Sequence, residues 1–166
     1  MTSLQIIFLL VGAATLASAL FVVVARNLIH SALWLIVTLF MVAVLFVLLE
    51  AGFLATVQVV LYIGAIAVMI IIGAMLTRRV MQDAGPQINS QWWVAGLVAA
   101  AAFAGLAALA FQVPWQVTTA GVAPDSLTEL GRSLVDLNRF VVPFEVASVL
   151  LIAAFVGSIV IVGERK

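Results

Sequence analysis

Residues 53–76 read FLATVQVVLYIGAIAVMIIIGAML. At about 1.5 Å of rise per residue, this run is long enough to cross a bilayer as one helix. Two polar side chains interrupt it. Gln58 and Tyr62, the only tyrosine of the chain, stand four residues apart and so share one helix face. Ala65, Met69 and Gly73 continue that face at helical spacing. A polar, small-residue stripe on an apolar helix predicts a face buried against other helices. Gly64 and Gly73 lower the helix propensity of the run, and bulky neighbours in sequence do not explain them.

The remainder of the chain supports a membrane reading. Of 166 residues, 66% are hydrophobic and only 8% are charged. A soluble domain carries roughly a quarter charged residues, so this apolar surface needs lipid as its solvent. The absence of cysteine excludes disulfides, thiolate metal sites and iron–sulfur ligation by this chain. A single histidine leaves no cluster for zinc or haem. With a formal net charge of zero there is no electrostatic case for nucleic acid.

Outward from residues 53–76, four more apolar segments appear, at about 4–25, 32–49, 92–111 and 141–162. None alternates with period two, and lipid admits only helices or closed barrels, so all five are predicted as helices. The first lacks a basic leader and is too long for a signal sequence, so it reads as a retained membrane helix. Residues 26–30 form a short polar break. Glu50-Ala51-Gly52 is a tight turn that sets the second and third helices antiparallel and adjacent. Residues 77–91 form a polar loop with Arg78, Arg79 and a Gly85-Pro86 turn signal.

Within residues 112–140, the stretch 125–140 (DSLTELGRSLVDLNRF) reads as an amphipathic helix. Leu127, Leu130, Leu134, Leu137 and Val141 recur every three or four residues. Ser126 with Glu129 resembles a capping box, with Asp125 as the alternative cap. Such a helix lies on the membrane surface or against a partner. The predicted fold is an all-α membrane protein. One polytopic domain over residues 1–166 has five transmembrane helices and a short amphipathic helix between the fourth and fifth.

Orientation follows from the basic residues. Arg26, Arg78, Arg79, Arg165 and Lys166 fall on one side, Arg132 and Arg139 on the other. The positive-inside rule then places the C-terminus in the cytoplasm and the N-terminus outside. Trp34, Trp92, Trp93 and Trp115 sit near segment ends, as interfacial anchors do.

Few residues offer chemistry. Glu145 follows Pro143-Phe144 at the mouth of the fifth helix. In the first turn, the helix dipole would favour its charge, which is a sufficient structural explanation. The functional alternative is the rim of a proton path, or an anchor for a neighbour's basic residue. Glu50, ending the second helix, is either a solvated boundary charge or a proton entry point. His30 reads as a surface histidine, with protonation or subunit contact as the alternative. Gln58 and Tyr62 lie deeper, and their polar groups need partners in the bilayer. They bond as interhelical glue, or they line a hydrated route. Gln does not titrate and Tyr has a pKa of about 10, so they order water rather than carry protons. No Walker A, GxGxxG, HExxH or nucleophile-elbow motif occurs.

These residues also carry a resemblance. Tyr62-Ile63-Gly64-Ala65-Ile66-Ala67-Val68 resembles the YxGAIxV signature of subunit J of NADH–quinone oxidoreductase, the respiratory complex I. The mitochondrial counterpart of that subunit is NADH dehydrogenase subunit 6. Asn27 to Trp34 (NLIHSALW) resembles the segment entering the family's second helix. Leu130-Gly131 and the run Pro143-Phe144-Glu145-Val146-Ala147-Ser148-Val149-Leu150 resemble its LG-x-x-L and PFE-x-AS-x-LL patterns.

The resemblance implies a five-helix subunit of the membrane arm, packed beside subunits of the A, K, H and N types. It implies no redox cofactor in this chain, with flavin and iron–sulfur clusters in partner subunits. It implies a bacterial inner membrane. It also implies a π-bulge at about residues 60–65 that relaxes to α-helix, rotates Val68 and Met69, and gates a water path. The implied gate residues are Tyr62, Gly64, Ala65, Val68 and Met69. Gln58 is a polar wall where several bacterial members carry a glutamate, and Glu145 is an anchor or rim. The alternative reading is a related membrane subunit of a cation/proton antiporter or a membrane-bound hydrogenase.

Overall fold

The computed structural model describes residues 2–77, 91–114 and 125–163. Everything regular among them is helical. Five helices are long and apolar enough to cross a membrane. Arg78, Arg79, the Gly85-Pro86 turn, Trp115, Arg165 and Lys166 lie outside the described residues. The chain divides into two compact units, Met1–Thr118 and Thr119–Lys166.

The first unit holds α1 (Ser3–Val24), α2 (Leu28–Leu48), α3 (Gly52–Leu76) and α4 (Trp92–Gln112). Helix α2 starts at Leu28, four residues before its predicted start. The cause is Asn27. Its backbone is extended, and its side-chain oxygen accepts from the Ile29 N–H at 2.9 Å. Most of the expected polar break is therefore the first turn of a capped helix. Ser31 Oγ donates to the Val22 carbonyl oxygen, tying that turn back to the end of α1.

Helices α1 and α2 pack as a hairpin. Trp34 was expected as an interfacial anchor. Its ring stacks on Phe21, with centroids 4.7 Å apart and planes inclined by 25°. Deeper in the same seam, Thr38 Oγ1 donates to Ser18 Oγ at 3.0 Å, and Ser18 is buried. The Ser18 hydroxyl passes its own hydrogen to the Thr15 carbonyl oxygen at 2.9 Å. Lipid offers no competing partner, so such hydroxyl chains hold transmembrane helices in register.

The predicted tight turn joins α2 to α3. The Glu50 N–H donates to Val47 O at 3.0 Å and the Ala51 N–H to Phe46 O at 2.9 Å. Two carbonyls at the end of α2 are thereby satisfied in the Schellman pattern. Helix α2 also packs along α3, so it lies between α1 and α3. No residue of α4 is buried within the chain.

The second unit holds α5 (Ser126–Val135) and α6 (Val141–Gly163). Helix α5 ends well before the predicted residue 140. Asp136 turns extended, and its Oδ1 accepts from the Asn138 N–H at 3.0 Å. This local Asx bond competes with the helix and ends it. Leu137 and Val141 therefore leave the apolar stripe that was read across residues 127–141. The predicted capping box is also absent. Ser126 is already helical, and Asp125 holds the cap position without a side-chain bond. Arg139 closes the elbow between the two helices. Its Nη1 donates to Ser133 Oγ at 3.0 Å and lies 3.4 Å from Glu129 Oε1.

Candidate functional site: the π-wound face of α3

Helix α3 is not wound uniformly. Residues 52–57 and 68–76 are α-helical, while Gln58–Ala67 is a π-helix. A π-turn closes its hydrogen bonds from i to i+5 and so takes more residues per turn than an α-helix. The segment spans residues 60–65, where a bulge was expected from resemblance, and extends beyond them on both sides.

The winding decides which residues meet α2. Ala55, Gln58, Ala67 and Ala74 are the buried residues of α3. Gln58 is 7% exposed and Ala67 only 1%. These two are nine residues apart. At 3.6 residues per turn they would stand about 180° apart, on opposite faces. At roughly 4.4 residues per turn, as i→i+5 bonding requires, they come within about 20° of each other. From Ala67 to Ala74 the helix is α again, and seven residues restore the same face. The contact with α2 is continuous only because the middle of α3 is π-wound.

The predicted stripe fares differently. Of Gln58, Tyr62, Ala65, Met69 and Gly73, the last three align with Gln58 only along an unbroken α-helix, whereas Tyr62 lies within about 40° of it in either winding. In the structure Gln58 alone of the five is buried. Tyr62 is 45% exposed, Met69 is 73% exposed, and Ala65 and Gly73 are exposed as well. Val68, the first α-helical residue after the π segment, also faces outward. For Ala65, Met69 and Gly73 the physical reason is the extra residue that each π-turn takes up, which turns them away from the α line. Ala67 and Ala74 escaped the sequence reading for the same reason, since α periodicity cannot join Gln58 to Ala67.

Gly64 sits inside the π segment. A Cβ there would lie 3.5 Å from the Val59 carbonyl oxygen, an ordinary van der Waals contact, with nothing else within 4 Å. Packing within the chain therefore admits alanine but leaves little room for branching on that side.

In the second unit, α6 begins at Val141, so Glu145 is its fifth residue and stands in the second turn. The dipole effect fades within the first turn, so it does not account for this carboxylate as the sequence suggested. Glu145 helps line an apolar cavity of about 530 Å³ with Leu137, Val141, Val142 and Val149. Its carbonyl oxygen accepts from Ser148 Oγ at 2.8 Å. His30 is exposed in the first turn of α2. Among the described residues no group of three His, Asp or Glu side chains is placed to hold a metal.

Comparison with known proteins places this architecture. Residues 18–161 match the family NADH-ubiquinone/plastoquinone oxidoreductase chain 6. The NAD(P)H-quinone oxidoreductase chain 6 of Leptolyngbya boryana is 36% identical over 157 residues, covering 93% of this chain and 77% of the relative. The F(420)H(2) dehydrogenase subunit J of Methanosarcina mazei is also 36% identical, covering 92% of this chain and 87% of the relative. The chain 6 protein of a Synechocystis species is 31% identical over 158 residues. With five membrane-length helices and a match over most of its length, the chain belongs to the chain 6 family of NADH–quinone oxidoreductases, as a membrane subunit of complex I type.

Proposed function

We propose that this chain is a membrane-arm subunit that couples quinone reduction to proton translocation, with NADH as the electron donor of the complex. Its own contribution is to gate a water path through α3. The observation that carries this reading is the pair of faces the helix can present. In the π state Ala67 and Ala74 meet α2. Relaxed to α, the same helix would bring Ala65 and Met69 into line with Gln58, while Tyr62 stays within about 40° of Gln58 in either winding. One face is lined by methyl groups; the other carries the Met69 thioether. A switch between them changes the polarity of the lining without breaking the helix.

Gln58 keeps its place in both states and serves as the polar wall. Its amide does not titrate, so carboxylates of neighbouring subunits carry the protons. Glu145 is a rim or anchor residue. The chain has no cysteine for iron–sulfur ligation, and we place flavin and iron–sulfur centres in partner subunits of the complex. The neighbours are subunits of the A, K, H and N types. The membrane is a bacterial inner membrane, with the C-terminus cytoplasmic, as the distribution of basic residues supports.

Cryo-EM of the intact assembly, purified through a tag on this chain, tests the reading. The expected result is redox subunits in the map and particle classes that differ between π and α winding at 58–67. One winding in every class would reduce the segment to a packing element. The donor is tested on the same preparation. NADH oxidation coupled to quinone reduction supports the proposal. Turnover with reduced F420 but not NADH would reassign the donor along the lines of the Methanosarcina relative's name.

A further inference from the structure

Helix α5 separates charge from apolar surface. At about 100° per residue, Leu127, Leu130 and Leu134 fall within about 60° of one another. Glu129 and Arg132 lie about 140–160° from Leu134, on the opposite side. Leu127 and Leu130 are 51% and 44% exposed. The elbow that follows keeps the same division. Arg139 reaches back to Ser133 and Glu129 on the polar side. Leu137 lines the apolar cavity along α6 with Val142 and Val146.

The elbow also fixes the depth of α5. Helix α6 has 23 residues, so it is about 34 Å long against a hydrocarbon core of about 30 Å. Its first residues therefore lie at the membrane boundary, which the charged residues Arg139 and Glu145 bracket. The Phe140 N–H, one residue before α6, donates to the Ser133 carbonyl oxygen at 3.1 Å. The last turn of α5 is thus bonded to the mouth of the span and does not stand off in water. Its polar side shares the solvated layer with the exposed Arg139 guanidinium, which leaves the leucine side toward the acyl chains.

Residue spacing left two occupants open for this face, a membrane surface and a protein partner. The depth of α5 and the position of Arg139 favour the membrane. Acidic and basic residues nearly balance over 125–139, so anionic headgroups exert little net attraction. The hold comes from apolar burial, as in other interfacial helices with strongly contrasting faces. We propose that α5 is an interfacial anchor. Leu127, Leu130 and Leu134 insert among the acyl chains of the leaflet at the N-terminal end of α6, and Glu129 and Arg132 stay in the headgroup layer. The anchor needs only that α6 crosses a membrane, and it is independent of the gate in α3.

The test uses the whole complex, purified through a tag on this chain and reconstituted in nanodiscs of phosphatidylcholine. A diazirine side chain, whose carbene is quenched by water, replaces Leu130 in one preparation and Arg132 in another. The expected result is phospholipid adducts on this chain with the probe at 130, severalfold above the yield at 132. The same probe in place of Leu127 should match the yield at 130, which guards against a local defect at one position. Crosslinks from 127 and 130 to another subunit would overturn the proposal, because protein would then cover the face. Equal or absent lipid adducts at 130 and 132 would overturn it as well, because the helix would then stand in water. Subunit content is scored in each preparation, and neither the electron donor nor the winding of α3 enters the readout.

Discussion

Gln58 and Ala67 are both buried on the α2 side of α3 although nine residues separate them. An α-helix would set them on opposite sides. Replacing Ala67 by leucine is therefore an overpacking change against α2, expected to cost about 1–3 kcal/mol. Ala65→Leu, on the outward face, should cost the chain's own packing far less. Thermal release of the subunit from the detergent-solubilised complex compares the two. If α3 rested as an unbroken α-helix, the order would reverse.

Thr38 and Ser18 form a hydroxyl bond across the α1–α2 seam. Interhelical hydrogen bonds in membranes average about 0.6 kcal/mol. Ser18→Ala and Thr38→Val should each weaken the hairpin modestly, and the double variant should lose less than the sum. A double-mutant cycle on unfolding in mixed micelles measures the coupling. Strict additivity would mean that the two hydroxyls act independently.

Asn27 sets where α2 begins. Asn27→Ala removes the acceptor for the Ile29 N–H and should cost about 1 kcal/mol, while Asn27→Ser or Asn27→Asp restores most of it. Amide hydrogen exchange at Ile29 reports the cap directly. Protection unchanged in the alanine variant would place the cap elsewhere.

Arg139 holds the elbow between α5 and α6 through Ser133, with Glu129 and Asp136 near by. The ion pairs are exposed and contribute little. The bond to buried Ser133 matters more. Arg139→Ala should therefore speed exchange of the Phe140 amide, which donates to Ser133 O. Added salt alone should leave that exchange nearly unchanged.

Gly64 separates space from winding. Gly64→Ala should assemble normally, since its Cβ meets only Val59 O at 3.5 Å. Gly64→Val adds branching beside that carbonyl and should lower proton-coupled turnover more than assembly. Proton uptake per quinone reduced, measured in proteoliposomes against subunit content, distinguishes the two effects. Loss of assembly alone would make Gly64 a packing residue.

The sequence by itself determined the membrane class, the five spans and their near-correct bounds, because helix length and apolarity in lipid are set locally by the backbone's need for internal hydrogen bonds. It also marked Gln58, Tyr62, Gly64 and Glu145 as unusual, since each breaks an otherwise uniform apolar pattern. What it could not decide was winding. The α and π forms of residues 58–67 satisfy the same composition, and the choice between them depends on which face α2 accepts. The tertiary structure exchanged Tyr62, Ala65 and Met69 for Ala67 and Ala74 on the buried side. It confirmed the start of the last helix at Val141, which puts Glu145 in the second turn and not the first. It placed Glu50 in the left-handed position of the turn that closes α2, at φ 59°. These features depend on how one helix meets the next, and residue spacing along a single helix carries no information about that meeting.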